Sequence, residues 1–258
     1  MSFVMIVSPA KKMVESDDEP RPSSAPQFLE EAHELALELR SLGREEAQRV
    51  WQCSDKLADE NWTRTLTLPE DMLAETSTLT AAAASYSGIQ YTHLAAPVMD
   101  SVQLSWLSFH LRIVSGLYGL VRPLDGVTPY RLEMQAKLPV GGARNLYEFW
   151  DSRIYDALAT MPGVGTIVNV ASKEYSKAVE PFAIPGGPRV LTCVFGTLRA
   201  DGKVRQPSTE AKAARGSFVR WAAEHQVEEV ADLRGFAERG YRFDEGRSSK
   251  DQWVFLRG

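Results

Sequence analysis

Lysines, arginines, tyrosines and glutamates recur in the polar breaks between the apolar segments of this sequence. Guanidinium and ammonium groups bind phosphate oxygens, and aromatic rings stack on nucleic-acid bases. If these side chains converge in the fold, they form a positively charged cleft suited to DNA or to a phosphorylated small molecule. Alternatively, each cation is a solvated surface charge, as most lysines and arginines are. The candidates are Lys11, Lys56, Arg64, Arg122, Tyr130, Arg131, Glu133, Lys173, Glu174, Tyr175, Lys177, Lys212 and Arg215.

Residues 111–134, LRIVSGLYGLVRPLDGVTPYRLEM, hold the densest group of these candidates. An apolar pattern of helical spacing leads into the segment and predicts a buried helix there. The residues of that pattern are Leu104, Leu107, Leu111 and Val114. Gly116 and Gly119 then bracket a tight hairpin, where the backbone can need a positive φ.

The same segment has two opposing interpretations. A helix, a glycine hairpin and nearby arginines can present backbone N–H groups and guanidinium forks to a phosphate. Arg122 and Arg131 would then supply the charge, with Gly116 and Gly119 shaping the backbone. In the other interpretation the arginines pair with Asp125 and Glu133 and hold the turns.

Two predicted strands place further candidates at strand ends. Residues 3–7 form an apolar run followed by the loop SPAKK, which contains Lys11. Residues 166–171 are apolar and β-branched, and a polar helix start with Lys173, Glu174, Tyr175 and Lys177 follows directly. Because strand ends line the crevices of α/β folds, these residues are expected at a functional edge of the sheet.

The remaining pattern predicts an interwoven α/β domain. Helices are expected over residues 27–50, with a break near residues 41–43, and over residues 69–86. Strands are expected over residues 189–195 and 253–256, with a basic hairpin at residues 199–206. A helix capped by Ser208 or Thr209 should carry Lys212 and Arg215 on its exposed side. Strands at both ends of the chain and a helical middle favour one domain over residues 1–258.

Composition excludes several classes of protein. The formal net charge of −5 means that any site for a polyanion must be a local patch. No run reaches the roughly 18 apolar residues of a membrane helix, and the N-terminus is not a secretory signal. Cys53 and Cys193 are far apart and the four histidines are scattered, so neither a metal site nor a cofactor is predicted. A cytoplasmic location with reduced thiols is expected.

Signatures of known catalytic sites are missing from the sequence. It contains no GxSxG elbow, no GxxxxGK[ST] phosphate loop and no GxGxxG after a strand. No catalytic residue is therefore assigned. A non-enzymatic role is favoured, although glutamates beside lysines can also tune an acid–base pair in an enzyme.

Seven sequence blocks, in order, are similar to the bacterial YaaA-type peroxide-stress family. They are SPAKK, SDKLA, LRIVSGLYGLVRPLD, PYRLEM, NLYEFW, NVASKEYSKAV and GYRFDE. The resemblance implies a single α/β domain of unusual topology, with a central β-sheet surrounded by helices, a positively charged cleft and a helix-hairpin-helix-like element. It also implies a cytosolic response to hydroperoxide through DNA binding and reduced damage from free intracellular iron.

The resemblance also carries over individual polar positions. The positions that match its motifs are Lys11, Lys56, Arg122, Tyr130, Arg131, Glu133, Glu174, Tyr175 and Lys177. Lys12, Lys173 and residues 180–207 depart from the family pattern. The expected partner is DNA, held by its backbone with little sequence readout. The alternative is an enzyme acting on a nucleotide or another phosphorylated small molecule in the same cleft.

Overall fold

The computed structural model describes residues 3–258, and residues 1 and 2 of the predicted domain lie outside that part. The described chain contains twelve β-strands: β1 (Phe3–Val7), β2 (Lys12–Met13), β3 (Thr80–Ala81), β4 (Tyr86–Ser87), β5 (Leu111–Ser115), β6 (Gly119–Val121), β7 (Gly126–Val127), β8 (Thr166–Asn169), β9 (Arg189–Leu198), β10 (Val204–Arg205), β11 (Tyr241–Asp244) and β12 (Gln252–Arg257). Short 3₁₀ turns connect several of these elements.

The same residues 3–258 contain ten α-helices. They are α1 (Leu29–Ser41), α2 (Gly43–Trp51), α3 (Asp55–Asp71), α4 (Ala82–Ser85), α5 (Ile89–Leu94), α6 (Ser101–His110), α7 (Leu146–Trp150), α8 (Arg153–Ala159), α9 (Lys173–Ser176) and α10 (Ser208–Glu224). None of the described helices is long and apolar enough to cross a membrane.

Strand β1 lies inside the main sheet, with β5 on one side and β8 on the other. All five of its side chains are buried, which explains why its sequence, FVMIV, is an unbroken apolar run. The sheet runs β11-β12-β9-β8-β1-β5-β6, and β10 pairs with β9. Strands β12, β9, β8, β1 and β5 are parallel, whereas β11, β6 and β10 pair antiparallel. The predicted α/β fold with a central sheet surrounded by helices is confirmed.

The order of the strands creates a switch point at β1. The chain passes from β1 to β5 on one side and later returns to β8 and β9 on the other. In open α/β sheets, ligands bind outside the carboxyl ends of the strands at such a point. Phe3 pairs with Thr166 and Ile6 with Asn169, so β1 and β8 end side by side. The loops that follow them must therefore meet.

The prediction of a helix that continues through Val114 is wrong. Helix α6 ends at His110, and Leu111–Ser115 forms strand β5 between β1 and β6. Short apolar runs fit a buried helix and a buried strand equally well, and here pairing with β1 decides the outcome. The predicted glycine hairpin exists, but it joins β5 to β6. Residues 111–134 therefore do not form a helix-hairpin-helix element.

The helix predicted over residues 69–86 is also wrong in most of its length. Helix α3 runs through Pro69 and ends at Asp71. Beyond it, β3 pairs with β7 and β4 pairs with β2, so backbone hydrogen bonds to distant strands replace a continuous helix. Strands β1, β8, β9 and β12 and the β9–β10 hairpin confirm the other strand predictions.

Gly119 allows the β5–β6 hairpin to pack against Trp150. Its φ is +64°, and a Cβ built at this position would lie 2.6 Å from Cζ3 of Trp150. Gly202, in the β9–β10 turn, has a φ of +77° and no atom within 4 Å of such a Cβ. Both glycines therefore have a positive φ, but only Gly119 is packed against a neighbouring side chain.

We predict that Gly119→Ala lowers the free energy of unfolding by about 2–5 kcal/mol, from a left-handed backbone plus overpacking. Gly202→Ala should lower the free energy of unfolding by about 1–2 kcal/mol, because only the left-handed backbone conformation is unfavourable there. Urea denaturation of both variants measures the difference. Equal losses would show that the contact with Trp150 does not constrain the hairpin.

Candidate functional site

The loops after β1 and β8 are joined by two serines. The Ser172 backbone N–H donates to Ser8 Oγ at 2.8 Å, and the two hydroxyl oxygens are 3.2 Å apart. The carbonyl oxygen of Ser8 accepts hydrogen bonds from Gln90 Nε2 and from the Tyr91 hydroxyl, both at 2.9 Å. These hydrogen bonds hold the loop after β1 from two sides, and Lys11 lies in that loop.

Glu133 lies between two cations at this edge of the sheet. Its Oε1 is 3.1 Å from Lys11 Nζ and 3.0 Å from Arg131 Nη2. The Glu133 and Arg131 side chains are only 8% and 10% exposed, whereas Lys11 is 63% exposed. Burial of charge is costly unless the charge is paired and its hydrogen bonds are satisfied. Here both cations share Glu133 Oε1, while Arg131 Nε is buried without a hydrogen-bond partner.

Glu174 supplies a second carboxylate beside the first. It is half-buried, and the backbone N–H of Gln135 donates to its Oε1 at 3.4 Å. Burial raises the pKa of Glu174, Glu133 raises it further, and Lys11 opposes both. The two glutamates and Lys11 therefore act on one another electrostatically. We call Lys11, Arg131, Glu133 and Glu174 the Glu133 site.

The hairpin after β5 holds the loop that carries this site. The Tyr130 hydroxyl is 2.6 Å from Ser115 Oγ, at the end of β5, and 2.9 Å from the Tyr86 hydroxyl. Burial raises the pKa of Tyr130 to about 12, so this group stays a neutral phenol. Gly116 packs against the carbonyl oxygen of Leu132, where a Cβ would clash. Tyr130 and Gly116 thus anchor the loop from inside.

The segment around α9 exposes its two lysines and buries the tyrosine between them. Lys173 and Lys177 are exposed, whereas Tyr175 is buried and burial raises its pKa well above the ordinary value. The ammonium group of Lys177 lies 5.9 Å from the ring centroid of Tyr147. The Tyr147 hydroxyl donates to the carbonyl oxygen of Glu174 at 2.8 Å, which fixes that ring beside the segment.

Six predicted site residues, Arg215 among them, lie outside these contacts. Arg122 lines a groove of 890 Å³ with Arg112, next to the amino end of β5 and away from Ser115. Arg64 pairs with Glu60 along α3, 3.0 Å apart. Lys56 is exposed in the first turn of α3 and Lys212 is exposed on α10. Gly119 packs on Trp150.

The prediction that Arg215 shares the exposed side of α10 with Lys212 is wrong. It is half-buried, its Nε has no hydrogen-bond partner, and burial lowers the pKa of its guanidinium. Neighbouring small residues such as Gly216 allow α10 to pack closely against the backbone of α5. That packing turns this face of α10 inward.

Several residues of this region carried no recognisable sequence signal. Ser8 and Ser172 gave none, since the serine pair depends on the register of β1 against β8. Burial is the main cause that raises the pKa of Cys53. The charge of Arg131 lowers this pKa and the charge of Glu133 raises it. Among residues 3–258 no group of three or more histidine, cysteine or acidic side chains could hold a metal ion.

These features define an α/β protein with a mixed cation–carboxylate site at the strand switch point. The chain belongs to the family described as peroxide stress protein YaaA, whose model matches residues 3–247. It is 42% identical over 254 residues to a UPF0246 protein of Lactiplantibacillus plantarum, covering 98% of each chain. It is 43% identical over 251 residues to one of Lacticaseibacillus casei, covering 97% of this chain and 98% of the relative.

We predict that Arg131→Met destabilises the protein by about 3–5 kcal/mol, because it leaves the buried Glu133 carboxylate without its buried partner. Lys11→Met should cost less than about 1 kcal/mol, because the ammonium group is largely exposed to water. The free energy of unfolding in urea measures both losses. A small, equal effect of the two substitutions would contradict the assigned burial.

We also predict that Glu174→Gln stabilises the protein at neutral pH. A carboxyl group whose pKa is raised on folding binds its proton more tightly in the folded state, so wild-type stability falls as the pH rises through the folded pKa. Below the ordinary value of 4.5 both forms are neutral and the advantage should vanish. Unfolding measured between pH 4 and pH 8 tests this, and an advantage independent of pH would refute it.

Proposed function

We propose that this protein binds DNA through the Glu133 site and the adjoining lysines Lys173 and Lys177, as part of a response to hydrogen peroxide. The observation that carries the proposal is the meeting of cations from two neighbouring strand ends. Lys11 follows β1, while Lys173 and Lys177 follow β8, and all three are exposed. Ammonium groups on flexible stems suit phosphate oxygens, whose position varies along a duplex.

The charge balance of the chain supports backbone contacts confined to this region. With a net charge of −5, the chain as a whole does not attract a polyanion, so binding requires a local patch of cations. Phosphate contacts position a protein on DNA and carry no sequence information directly. The proposal therefore includes little sequence preference. It rests on no helix-hairpin-helix element, because residues 111–134 contain a β-hairpin.

The family name, peroxide stress protein YaaA, supports the link to peroxide. Counterion release offers a physical route for it. Lysines that neutralise phosphates displace the cations condensed on DNA. Ferrous iron held in that way would generate oxidising radicals next to the bases when it meets peroxide. A bound protein would reduce this iron loading and so limit the damage.

We predict salt-sensitive DNA binding that depends on these lysines. Fluorescence anisotropy with a duplex should show at least tenfold weaker binding at 200 mM than at 50 mM salt, if several phosphates are contacted. Lys173→Ala and Lys177→Ala should each reduce the slope of log K against log salt by about 1. Lys203→Ala, which removes an exposed lysine in the turn between β9 and β10, beyond the residues of β9 that pair with β8, is the matched control.

Affinity that does not change with salt, or that falls equally in the Lys203→Ala control, would contradict the proposal. Arg122→Ala tests the separate groove at the amino end of β5. An unchanged salt slope in that variant would confine the contacts to the strand carboxyl ends. A reduced slope would extend the DNA-binding surface to the groove.

A second candidate function is an enzyme acting on a nucleotide or another phosphorylated small molecule. The observation that favours it is the pair Glu133 and Glu174, since carboxylates repel a polyanion and serve acid–base chemistry better. Thermal shifts of the whole protein with mononucleotides and sugar phosphates separate the candidates. Stabilisation by one of these molecules, without binding of duplex DNA, would favour the enzyme.

A further inference from the structure

Two carboxylates at the centre of a phosphate-binding surface need a role of their own. An ionised carboxylate only accepts hydrogen bonds, so neither Glu133 nor Glu174 can contact a phosphate oxygen favourably. Glu133 is held in place almost fully buried, and replacing a buried ion pair by apolar residues is often stabilising. The carboxylates therefore suit a ligand group rich in N–H donors that lies next to phosphates.

Nucleobases supply such donors, and they differ in their arrangement. Along the edge used for base pairing, guanine presents the acceptor O6 followed by two adjacent donors, N1–H and the N2 amino group. Adenine and cytosine each present one amino donor beside an acceptor, and thymine presents one N–H between two acceptors. Guanine alone among these bases therefore matches one cation next to two carboxylates.

The Glu133 site offers this order of groups. Lys11 is largely exposed beside Glu133, so its ammonium group is available as a cationic donor for O6. The Glu133 carboxylate lies beside Lys11, and Glu174, whose Oε1 accepts from the Gln135 backbone N–H at 3.4 Å, lies within its electrostatic range. In a paired duplex the guanine edge is occupied, so only an unpaired or extruded base can reach the carboxylates.

We propose that Glu133 and Glu174 recognise the N1–H and N2 donors of an unpaired guanine, with Lys11 at O6 and Lys173 and Lys177 at the neighbouring phosphates. This inference rests on the proposed function, because the proposed DNA ligand supplies the guanine base. A free guanine nucleotide offers the same chemistry. The two sources are separated by experiment.

The test uses duplexes of one sequence with a single unpaired nucleotide, which is guanine, adenine, cytosine, thymine or an abasic residue. A fully paired duplex and free GMP complete the series, and anisotropy or calorimetry measures affinity. Wild type should bind unpaired guanine roughly tenfold more tightly than the other duplexes, the discrimination typical of a bidentate base contact. Glu174→Gln should remove this preference, so that the duplex with unpaired guanine binds no more tightly than the other duplexes.

Glu30→Gln is the matched control, because it removes one exposed carboxylate in the first turn of α1. This control should retain the guanine preference. Circular dichroism of each variant verifies folding, and Glu174→Asp adds a second probe that keeps the charge but shortens its reach.

The outcomes separate the two proposals. Equal affinity for all unpaired bases, or a preference that survives in Glu174→Gln, overturns base recognition. If the paired duplex still binds in a salt-dependent manner, DNA binding itself stands. If no DNA binds but GMP does, and Glu174→Gln abolishes that binding, the free nucleotide is the source and the DNA proposal fails. If neither binds, both proposals fail.

Discussion

The buried charge of Glu133 is the constraint on which the rest of this region depends. A carboxylate at 8% exposure needs cations close by, and Lys11 and Arg131 both lie within 3.1 Å of it. Each cation comes from a different part of the chain, one from the loop after β1 and one from the loop after β7. Pairing with the same oxygen therefore holds the two loops together at the strand switch point. The cost of burying charge makes that arrangement strongly dependent on correct packing.

Packing meets this requirement through groups that have no direct part in binding. The hydroxyl of Tyr130 is fixed to Ser115 at the end of β5, which fixes the backbone next to Arg131. The glycine at position 116 lets the carbonyl of Leu132 approach the hairpin. Trp150 donates from Nε1 to the carbonyl oxygen of Gly116 at 3.0 Å. The β5–β6 hairpin therefore supports the site. Gly116 and Gly119 allow parts of the protein to pack closely against each other.

Sequence patterns predicted those parts of the fold in which local preference and tertiary context agree. β1 and β8 are apolar, β-branched runs followed by polar residues, and both were predicted together with Lys11 and the start of α9. The helix prediction for β5 is wrong, because its three apolar residues, Leu111, Ile113 and Val114, are too few to define a period, and pairing with β1 determines their form.

Site contacts were harder to predict from the sequence than strands were. Lys11 and Glu133 are 122 positions apart in sequence, so their pairing follows from topology alone. Arg122 has the same residue type and the same turn-rich context as Arg131, yet it faces a different groove. Antiparallel pairing of β6 carries Arg122 back toward the start of β5, whereas the chain beyond β7 returns to its end. Composition alone gives no sign of that separation.

The chemistry of the thiols narrows how this protein can act against peroxide. A thiolate, not a thiol, reacts with hydrogen peroxide, and reactive cysteines have depressed pKa values. Burial instead raises the pKa of Cys193 to about 12 and also raises that of Cys53. Both cysteines therefore stay protonated and poorly nucleophilic at neutral pH. Direct reduction of peroxide by a protein thiol is therefore disfavoured, which agrees with the proposal that the protein acts by binding.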